Sequence, residues 1–286
     1  MIQDIGAFRY HNEYRHISPK EDSKILSYRN GRILLKNQGD EISFLTLREV
    51  KGRFPGLKGE YRYLFSIDNT GYFLQPALAK ERFANIQEKH QDGELVWAGI
   101  DFLRRACPRE EAFAGVTGFQ LSGWYQSRRF CPACGQKMRH SEGERMMYCS
   151  ACGQREYPKL NPAVIVAVTE GDKLLLTKYA GRAYTKYALI AGYTEIGETV
   201  EETVQREVME EVGLKVKNIR YYKSQPWSFT DTLLMGFFAE VDGDDTIRLD
   251  ENELQVAKWC SREEIPENDG ISLTREMMEV FKNGKV

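Results

Sequence analysis

The chain has 286 residues, of which 42% are hydrophobic, so it is long and apolar enough for about two ordinary domains with buried cores. Its 40 basic and 42 acidic residues leave a formal net charge of −2, which excludes a global positive field that would draw it onto nucleic acid. No run of uncharged apolar residues approaches the length of a membrane helix, and the N-terminus lacks the pattern of an export signal. We therefore expect a cytoplasmic protein that makes no membrane contact.

Residues 1–125 are predicted to form a strand-rich, mixed domain. Asn30-Gly31 lies between two β-rich runs, and this dipeptide is typical of a tight hairpin turn. A second hairpin is expected within residues 61–74. Between residues 108 and 126 the apolar spacing favours a helix, although three glycines weaken that prediction.

Residues 126–158 carry two cysteine pairs with the spacing C-x2-C-x14-C-x2-C, namely Cys131, Cys134, Cys149 and Cys152. Two such knuckles supply the four thiolates that tetrahedral zinc requires, so we predict a zinc ribbon with one ion per chain. Cysteine fills all four ligand positions and leaves none for water, which makes the predicted zinc structural. Cys107 and Cys260 lack a partner at knuckle spacing and are assigned no role.

Residues 159–286 alternate strand-like and helix-like runs, which predicts a mixed α/β domain. Its clearest helix is expected at 200–212. Thr199 and Glu202 have the spacing of a capping box at its start, and Gly213 is a typical stop. Valines recur every fourth residue from position 200 and give this helix one apolar stripe to bury.

Three carboxylates, Glu207, Glu210 and Glu211, crowd one side of that helix with no basic residue between them. They repel one another, and a bound divalent cation would turn the repulsion into attraction. Hard oxygen ligands at this spacing suit Mg²⁺ or Mn²⁺. The competing interpretation is a solvated acidic face in which Arg206 pairs with Glu202 and Glu210.

Residues 192–214 fit the pattern G-x5-E-x7-R-E-U-x-E-E-x-G-U, where U is bulky and aliphatic, and the segment resembles the Nudix box at every fixed position. The resemblance implies an α/β/α sandwich in which the box forms loop, helix and loop. It also implies a hydrolase that cleaves the phosphoanhydride bond of a nucleoside diphosphate derivative with catalytic divalent metals. By position, Glu207 and Glu211 would be metal ligands and Glu210 a further ligand or water-orienting group. The box residues expected to be mainly structural are Gly192, Glu198, Arg206 and Gly213.

A zinc ribbon directly ahead of a Nudix box resembles the NADH pyrophosphatase branch of this family, which cleaves NAD(H) to nicotinamide mononucleotide and AMP. A second marker is similar to that branch's S-Q-P-W-P-F-P-x-S segment and predicts substrate contacts by Gln225, Pro226, Trp227, Ser228, Phe229, Thr230, Asp231 and Thr232. Ser228, Thr230 and Thr232 replace two prolines and a serine of the pattern, so the loop is expected to be less rigid.

The same resemblance adds expectations at single positions. The backbone carbonyl of Ala191 and the carboxylate of Glu253 would complete the metal ligands, and Glu253 is also a candidate base. Tyr193 would stack on the nicotinamide, and Glu144 and Tyr157 of the ribbon would reach the substrate. The branch pattern also implies a homodimer.

Two alternatives to NAD(H) hydrolysis stay open. In one, the enzyme acts on ADP-ribose, an ADP-sugar, another dinucleotide or the NAD cap of an RNA. In the other, the ribbon binds nucleic acid and the Nudix domain is a ligand sensor without catalysis. Basic residues give the ribbon some positive charge, but Glu142 and Glu144 interrupt it.

Overall fold

The structure is a computed structural model that describes residues 1–80, 88–90, 93–181 and 185–285, and only the backbone of residues 88–90, 93 and 94. The chain folds as two compact units. The first comprises Ile2–Lys159 with Ser228–Thr230, and the second comprises Met1, Leu160–Trp227 and Asp231–Val286. The ribbon therefore falls in the same unit as the first 125 residues, and the finer division into three domains stays a prediction. Among the helices that the structure describes, none is both long and apolar enough to span a membrane.

The first unit contains two five-stranded sheets and two helices within its described residues. One sheet has the strand order β1-β7-β8-β2-β6, and its strands are β1 Tyr10–His11, β2 Lys24–Leu26, β6 Leu45–Thr46, β7 Arg62–Ile67 and β8 Thr70–Leu74. The other has the order β3-β4-β10-β9, with β5 added on β4, and its strands are β3 Tyr28–Arg29, β4 Arg32–Gln38, β5 Glu41–Ser43, β9 Glu88–His90 and β10 Gly93–Gly99. The helices are α1 Leu47–Arg53 and α2 Arg109–Ser127.

The hairpin predicted at Asn30-Gly31 is confirmed between β3 and β4, where Arg29 pairs with Arg32. Both turn residues have positive φ, 47° and 69°, as the tight hairpin turn requires. The preceding β2 does not join this hairpin, because it pairs with β6 and β8 of the other sheet. The run of strand residues thus switches sheets between Leu26 and Tyr28, which local periodicity does not reveal.

The helix predicted at residues 108–126 is confirmed as α2, and its glycines have a packing reason. A Cβ at Gly118 would overlap the hydroxyl of Tyr28, and one at Gly115 would lie 2.9 Å from Leu103. The Tyr28 hydroxyl also donates a hydrogen bond to the Gly115 carbonyl at 2.7 Å. The glycines therefore lower helix propensity but allow β3 to lie close to the helix.

The ribbon folds as a small three-stranded antiparallel sheet whose strands are β11 Arg139–His140, β12 Met147–Tyr148 and β13 Arg155–Glu156. His140 is held by the hydroxyls of Tyr14 and Tyr125, at 3.2 and 3.0 Å. Arg128 donates a hydrogen bond to Glu156 at 2.8 Å. The two tyrosine contacts tie the ribbon to the rest of the first unit, and the Arg128–Glu156 bond holds its last strand against the end of α2.

The second unit is a sheet with one helix on each face, so the predicted α/β/α sandwich is confirmed. The strand order is β17-β18-β14-β15-β19, with β16 added on β14, and only the β14–β18 pair is parallel. The strands are β14 Asn161–Glu170, β15 Lys173–Tyr179, β16 Ile190–Tyr193, β17 Val216–Trp227, β18 Thr232–Val241 and β19 Leu254–Ser261. The helices are α3 Val200–Val212 and α4 Leu273–Lys282.

Alternation along β14 decides which helix covers which face of the sheet. Val164, Val166 and Val168 belong to the core cluster that contains the valine stripe of α3. Ile165 and Ala167 belong to the cluster on the other face, which contains the apolar residues of α4. The valine periodicity therefore predicts the buried face of α3 correctly.

Gln225 of β17 fastens the start of α4 to the sheet. Its side chain is fully buried, and its amide donates to the Ile271 carbonyl at 3.0 Å and accepts from the Leu273 amide at 2.7 Å. Both partners belong to buried residues, Ile271 shortly before α4 and Leu273 at its first position. Gln225 is consequently a clamp between β17 and α4.

We expect Gln225→Ala to destabilise the second unit by about 2–4 kcal/mol, because two buried backbone groups lose their partner. Denaturant unfolding together with amide hydrogen exchange of α4 measures the effect. Gln205→Ala on the exposed face of α3 is the matched control and should change stability by less than about 0.5 kcal/mol. Equal stability of the two variants would contradict the clamp.

Candidate functional site

The four ribbon cysteines converge, with all four sulfur atoms within 4.8 Å of one another. The Sγ atoms of Cys131 and Cys152, and those of Cys134 and Cys149, are 3.5 Å apart. Each knuckle is closed by a backbone bond of 2.9 Å from the glycine that follows it, Gly135 or Gly153, to the carbonyl of its first cysteine. Four thiol sulfurs in one closed cluster fit structural zinc.

The thiol of Cys149 is already biased towards the thiolate that zinc requires. Backbone amides of Cys152 and Ala151 point at its sulfur and lower its pKa to about 7. Cys131 and Cys149 are also buried within the main core cluster of the first unit. The zinc site is therefore part of that core and not an appendage to it.

We expect Cys152→Ser to lose the bound zinc, because a serine hydroxyl replaces a thiolate ligand at a closed four-sulfur site. Zinc content per purified chain, measured by mass spectrometry, should drop from one to well below one, with a lower melting temperature for the first unit. Cys107→Ser, at an exposed thiol outside the cluster, is the control and should keep its zinc. A Cys152→Ser protein with one zinc and unchanged stability would contradict the assignment.

The loop and helix of the acidic segment are joined by one arginine. Arg206 donates to both carboxylate oxygens of Glu198, at 2.5 and 3.0 Å, and to the Tyr193 carbonyl at 2.9 Å. The bonds from Arg206 to the Glu198 carboxylate, followed by one from the Glu195 amide, lower the pKa of Glu198 to about 2. The hydroxyl of Thr203 adds a bond of 3.0 Å to the same carboxylate. The loop before α3 is thus fixed to the helix surface by Glu198 and Arg206, in keeping with their predicted structural role.

The expectation that nothing basic lies between the helix carboxylates is wrong. The guanidinium of Arg206 donates to Glu207 at 2.8 Å and to Glu210 at 2.9 Å. A long side chain can reach both its neighbour and the residue one turn later, which residue spacing alone does not disclose. Arg206 therefore relieves part of the repulsion within the acidic cluster. Its expected pair with Glu210 is present, whereas Glu198 takes the place expected for Glu202.

The capping prediction is confirmed at both ends of α3. Thr199 accepts from the Glu202 amide while the Glu202 carboxylate accepts from the Thr199 amide, at 3.2 and 2.7 Å. Gly213 has the left-handed conformation, with φ of 69°, and closes the last turn. The helix start and end are thereby set by local chemistry.

Two of the three helix carboxylates are buried. Glu207 and Glu211 are 8% and 2% exposed on the side of α3 that packs against β14 and β16, whereas Glu210 is exposed. Burial raises the pKa of Glu207, and the nearby charges of Glu210 and Glu253 raise it further. The structure thus brings Glu207, Glu210 and Glu253 close enough to interact.

Glu253 reaches this place through the backbone that follows β18. The Asp250 amide donates to the Glu211 carbonyl at 3.0 Å, and the Ala180 amide donates to the Glu253 carbonyl at 2.9 Å. Among the residues that the structure describes, only the cysteines form a ligand cluster as tight as 4.8 Å, so the carboxylates are more loosely grouped. Their partial burial, shared negative charge and hard oxygen atoms nevertheless fit a hard divalent cation.

Gly192 lies directly beneath the Glu207 carboxylate. A Cβ at this position would overlap the carboxylate atoms of Glu207, so the space that a side chain would fill is occupied by the predicted metal ligand. Ala191, whose carbonyl is a predicted ligand, precedes it in β16 and pairs with Ile165 of β14. The box glycine is therefore required for the position of Glu207, a role that the spacing of the box did not reveal.

We expect Gly192→Ala to push the Glu207 carboxylate out of place and to weaken Mn²⁺ binding by at least about tenfold, the scale of losses when a ligand's support is disturbed. Calorimetric titration with Mn²⁺ of protein that retains its zinc but carries no other divalent metal measures this. Gly123→Ala is the control, because a Cβ there meets no atom within 4 Å. Unchanged Mn²⁺ affinity in Gly192→Ala would remove Glu207 from the ligand set.

The predicted substrate segment is placed in three different settings. Gln225 is buried and bonded to the start of α4, so its predicted contact with substrate would be indirect. At the end of β17, Pro226 is exposed and Trp227 is half-buried. Thr232 opens β18, and its hydroxyl lies 3.4 Å from that of Tyr193, whose side chain is half exposed. Asp231, with φ of 57°, completes the turn between the strands.

The tip of that turn, residues 228–230, groups with the first unit. Ser228 is buried and Thr230 exposed, and the guanidinium of Arg104 lies 4.2 Å from the ring centre of Phe229. Arg104 therefore covers one face of the Phe229 ring, and the predicted contact of Phe229 with substrate stays a prediction. Glu144 and Tyr157 of the ribbon are both exposed, and their substrate contacts stay predictions.

Comparison with known proteins matches parts of the chain to family models, in agreement with the resemblances seen in the box and the cysteine pairs. Residues 159–281 match the NUDIX domain model, and residues 126–157 match the NADH pyrophosphatase zinc ribbon domain. The NAD-capped RNA hydrolase NudC of Salmonella schwarzengrund (strain CVM19633) is 43% identical over 149 residues, which are 52% of this chain and 58% of that protein. The protein of the same name from Escherichia coli (strain K12 / DH10B) is 42% identical over the same shares of the two chains.

The chain therefore spans less than two thirds of the length of these curated relatives. A crystal structure of a NUDIX hydrolase from Nitrosomonas europaea is 24% identical, with a TM-score of 0.47, and the alignment covers 54% of this chain and 91% of that one.

Proposed function

We propose that this chain, which carries a Nudix domain behind an NADH pyrophosphatase zinc ribbon, hydrolyses the pyrophosphate bond of NADH or NAD⁺ to nicotinamide mononucleotide and AMP. The observation that carries the proposal is the burial of Glu207 and Glu211 on one side of α3, within a box whose fixed positions are all present. A sensor without catalysis would have no need to bury two carboxylates of like charge. Arg206 offsets part of the cost at Glu207, and a cation that shares the site would offset the rest.

Hydrolysis of a pyrophosphate is slow because its anionic oxygens repel the attacking water. Divalent Mg²⁺ or Mn²⁺, when bound, would screen that charge, orient the water and lower its pKa. The residues that would hold these ions are Glu207 and Glu211, with Glu210, Glu253 and the Ala191 carbonyl as further ligands. Arg206 holds Glu207 in position through its hydrogen bond of 2.8 Å.

A carboxylate is the proposed general base. No histidine follows His140 in the sequence, so the Nudix domain has no imidazole for the task. Glu253 is our candidate, because it is exposed to solvent and its charge interacts with that of Glu207. Glu210 would orient the water from the exposed side of α3.

Tyr193 is the proposed platform for the nicotinamide ring. It follows the box glycine, its side chain is half exposed, and its carbonyl is held by Arg206. The adjacent Thr232 hydroxyl fixes the direction of the phenol. Trp227, half-buried at the end of β17, offers a second flat surface, and Gln225 would act by holding this strand end against α4.

The NAD cap of an RNA is the second proposed substrate, because it presents the same pyrophosphate. Two relatives that are 42% and 43% identical carry the name NAD-capped RNA hydrolase, which favours this activity here. ADP-ribose is the competing small substrate, since Ser228, Thr230 and Thr232 depart from the branch pattern. The homodimer and the cytoplasmic location stay predictions.

We expect the wild-type protein with Mg²⁺ or Mn²⁺ to release AMP and reduced nicotinamide mononucleotide from NADH. Glu211→Gln should lower kcat by at least about 100-fold, since a neutral amide cannot supply the charge that binds the cation. Chromatographic product analysis measures both. Glu201→Gln, at an exposed glutamate in the first turn of α3, is the matched control and should retain most of the activity.

A panel of NADH, NAD⁺, ADP-ribose and NAD-capped RNA separates the candidate substrates by kcat/KM. A clear preference for ADP-ribose over both NAD forms would replace NAD(H) as the substrate. If the folded wild-type protein, with its zinc bound and Mg²⁺ or Mn²⁺ present, cleaves none of these compounds, the proposal of an enzyme is refuted and the ligand sensor is favoured.

A further inference from the structure

The first unit contains a cavity of about 820 Å³ that the proposed hydrolysis does not use. Its wall is formed by the end of β3, the segment around residues 58–62, residues 74–80 after β8, and the last turns of α2. This volume lies within the range of about 300–1,000 Å³ that is usual for small-molecule sites. The cavity can therefore accept a molecule as large as a nucleotide.

Among the residues that the structure describes, the charged ones that line this cavity are all basic, namely Arg29, Lys58, Arg62, Lys80 and Arg129. The whole chain has a formal charge of −2, so this local excess of positive charge is not a consequence of composition. Glu60 pairs with Arg62 at 3.5 Å, but its side chain is 75% exposed and contributes little attraction in water. A concave wall with charges of one sign concentrates the field on an anion inside it.

Two buried donors of the wall lack a hydrogen-bond partner among the described residues. Gln75 is 0% exposed, and its carbonyl oxygen accepts from the Ala77 amide at 3.0 Å, which leaves its side-chain NH₂ without an acceptor. One terminal nitrogen of Arg29 is likewise buried without a partner. Buried donors of this kind are rare in folded proteins because each loses its bond to water. Both need acceptor atoms, which an anion supplies.

Arg62 is held ready for such a ligand. Its guanidinium lies 4.3 Å from the ring centre of Tyr125, and the hydroxyl of that tyrosine bonds His140 at 3.0 Å. One terminal nitrogen of the guanidinium donates only a long bond of 3.5 Å to the exposed Glu60, and its position against a fixed ring orients the remaining donors for a ligand. This geometry matches the oxygens of a phosphate group.

We infer that this cavity binds a small anion with two or more linked phosphates, of the size of a nucleoside diphosphate. Five cations and two buried donors are more than a single phosphate needs, whereas linked phosphates can contact several of them at once. The inference is independent of the proposed hydrolysis, because every residue on which it rests belongs to the first unit.

The test is equilibrium binding of ADP and of inorganic pyrophosphate to the full chain with its zinc retained and no Mg²⁺ or Mn²⁺ added. Without these ions the acidic residues of α3 repel phosphate, so the signal reports the basic cavity. Arg62→Gln and Arg129→Gln should each weaken binding by about tenfold or more, the scale of a charge-assisted hydrogen bond. Lys20→Gln, at an exposed lysine outside the cavity, is the matched control.

Binding that the two arginine variants lose and Lys20→Gln keeps supports the site. Failure of the wild type to bind ADP and pyrophosphate at millimolar concentration would overturn it, as would binding that neither variant changes. A ten-nucleotide RNA without 5′ phosphate serves as a further probe. If only this RNA binds, the cavity is part of a nucleic-acid surface and our assignment of a small ligand is wrong. Arg129 is exposed, so its variant tests the site even if Arg62→Gln does not fold.

Discussion

The burial of two carboxylates beside an apolar core is the constraint on which the second unit depends. Helix α3 packs its valines against β14, and this orientation of the helix also buries Glu207 and Glu211. The surrounding structure supports this arrangement from two directions. Arg206 neutralises part of the charge while it fastens the preceding loop, and Gly192 leaves room for the Glu207 carboxylate. The proposed cation, shared by the acidic residues, would offset the remaining cost of this burial.

The ribbon is stabilised in a different way, by a metal site. Its strands are only two residues long, too short to form a core of their own. Four cysteines replace that core with a metal site, and two of them are packed into the apolar cluster of the first unit. The family matches and the geometry of the sulfurs agree on zinc as the ion. Zinc is thus linked to the folding of the first unit, whereas the acidic residues of α3 are the proposed site of catalysis.

Several features were predictable because they depend on neighbours in sequence. The capping box of α3, its glycine stop, the turn at Asn30-Gly31 and the cysteine knuckles all follow from local hydrogen bonding and backbone conformation. Other contacts could not be predicted, because they join residues that are far apart in the sequence. The ring of Phe229 lies against Arg104, which is more than 100 residues earlier in the chain.

The amino-acid sequence alone determined the resemblance to the Nudix family, the four zinc ligands and the ends of helix α3, because motif spacing and helix capping act over a few residues. The tertiary structure alone decided that Gly192 makes room for Glu207 and that Gln225 holds the start of α4. It also decided that Arg206 bonds Glu198 of the loop together with Glu207 and Glu210 of α3. It also gathered five basic residues from separate segments into one cavity. These features depend on contacts between side chains that are brought together only by folding, so the local sequence pattern does not predict them.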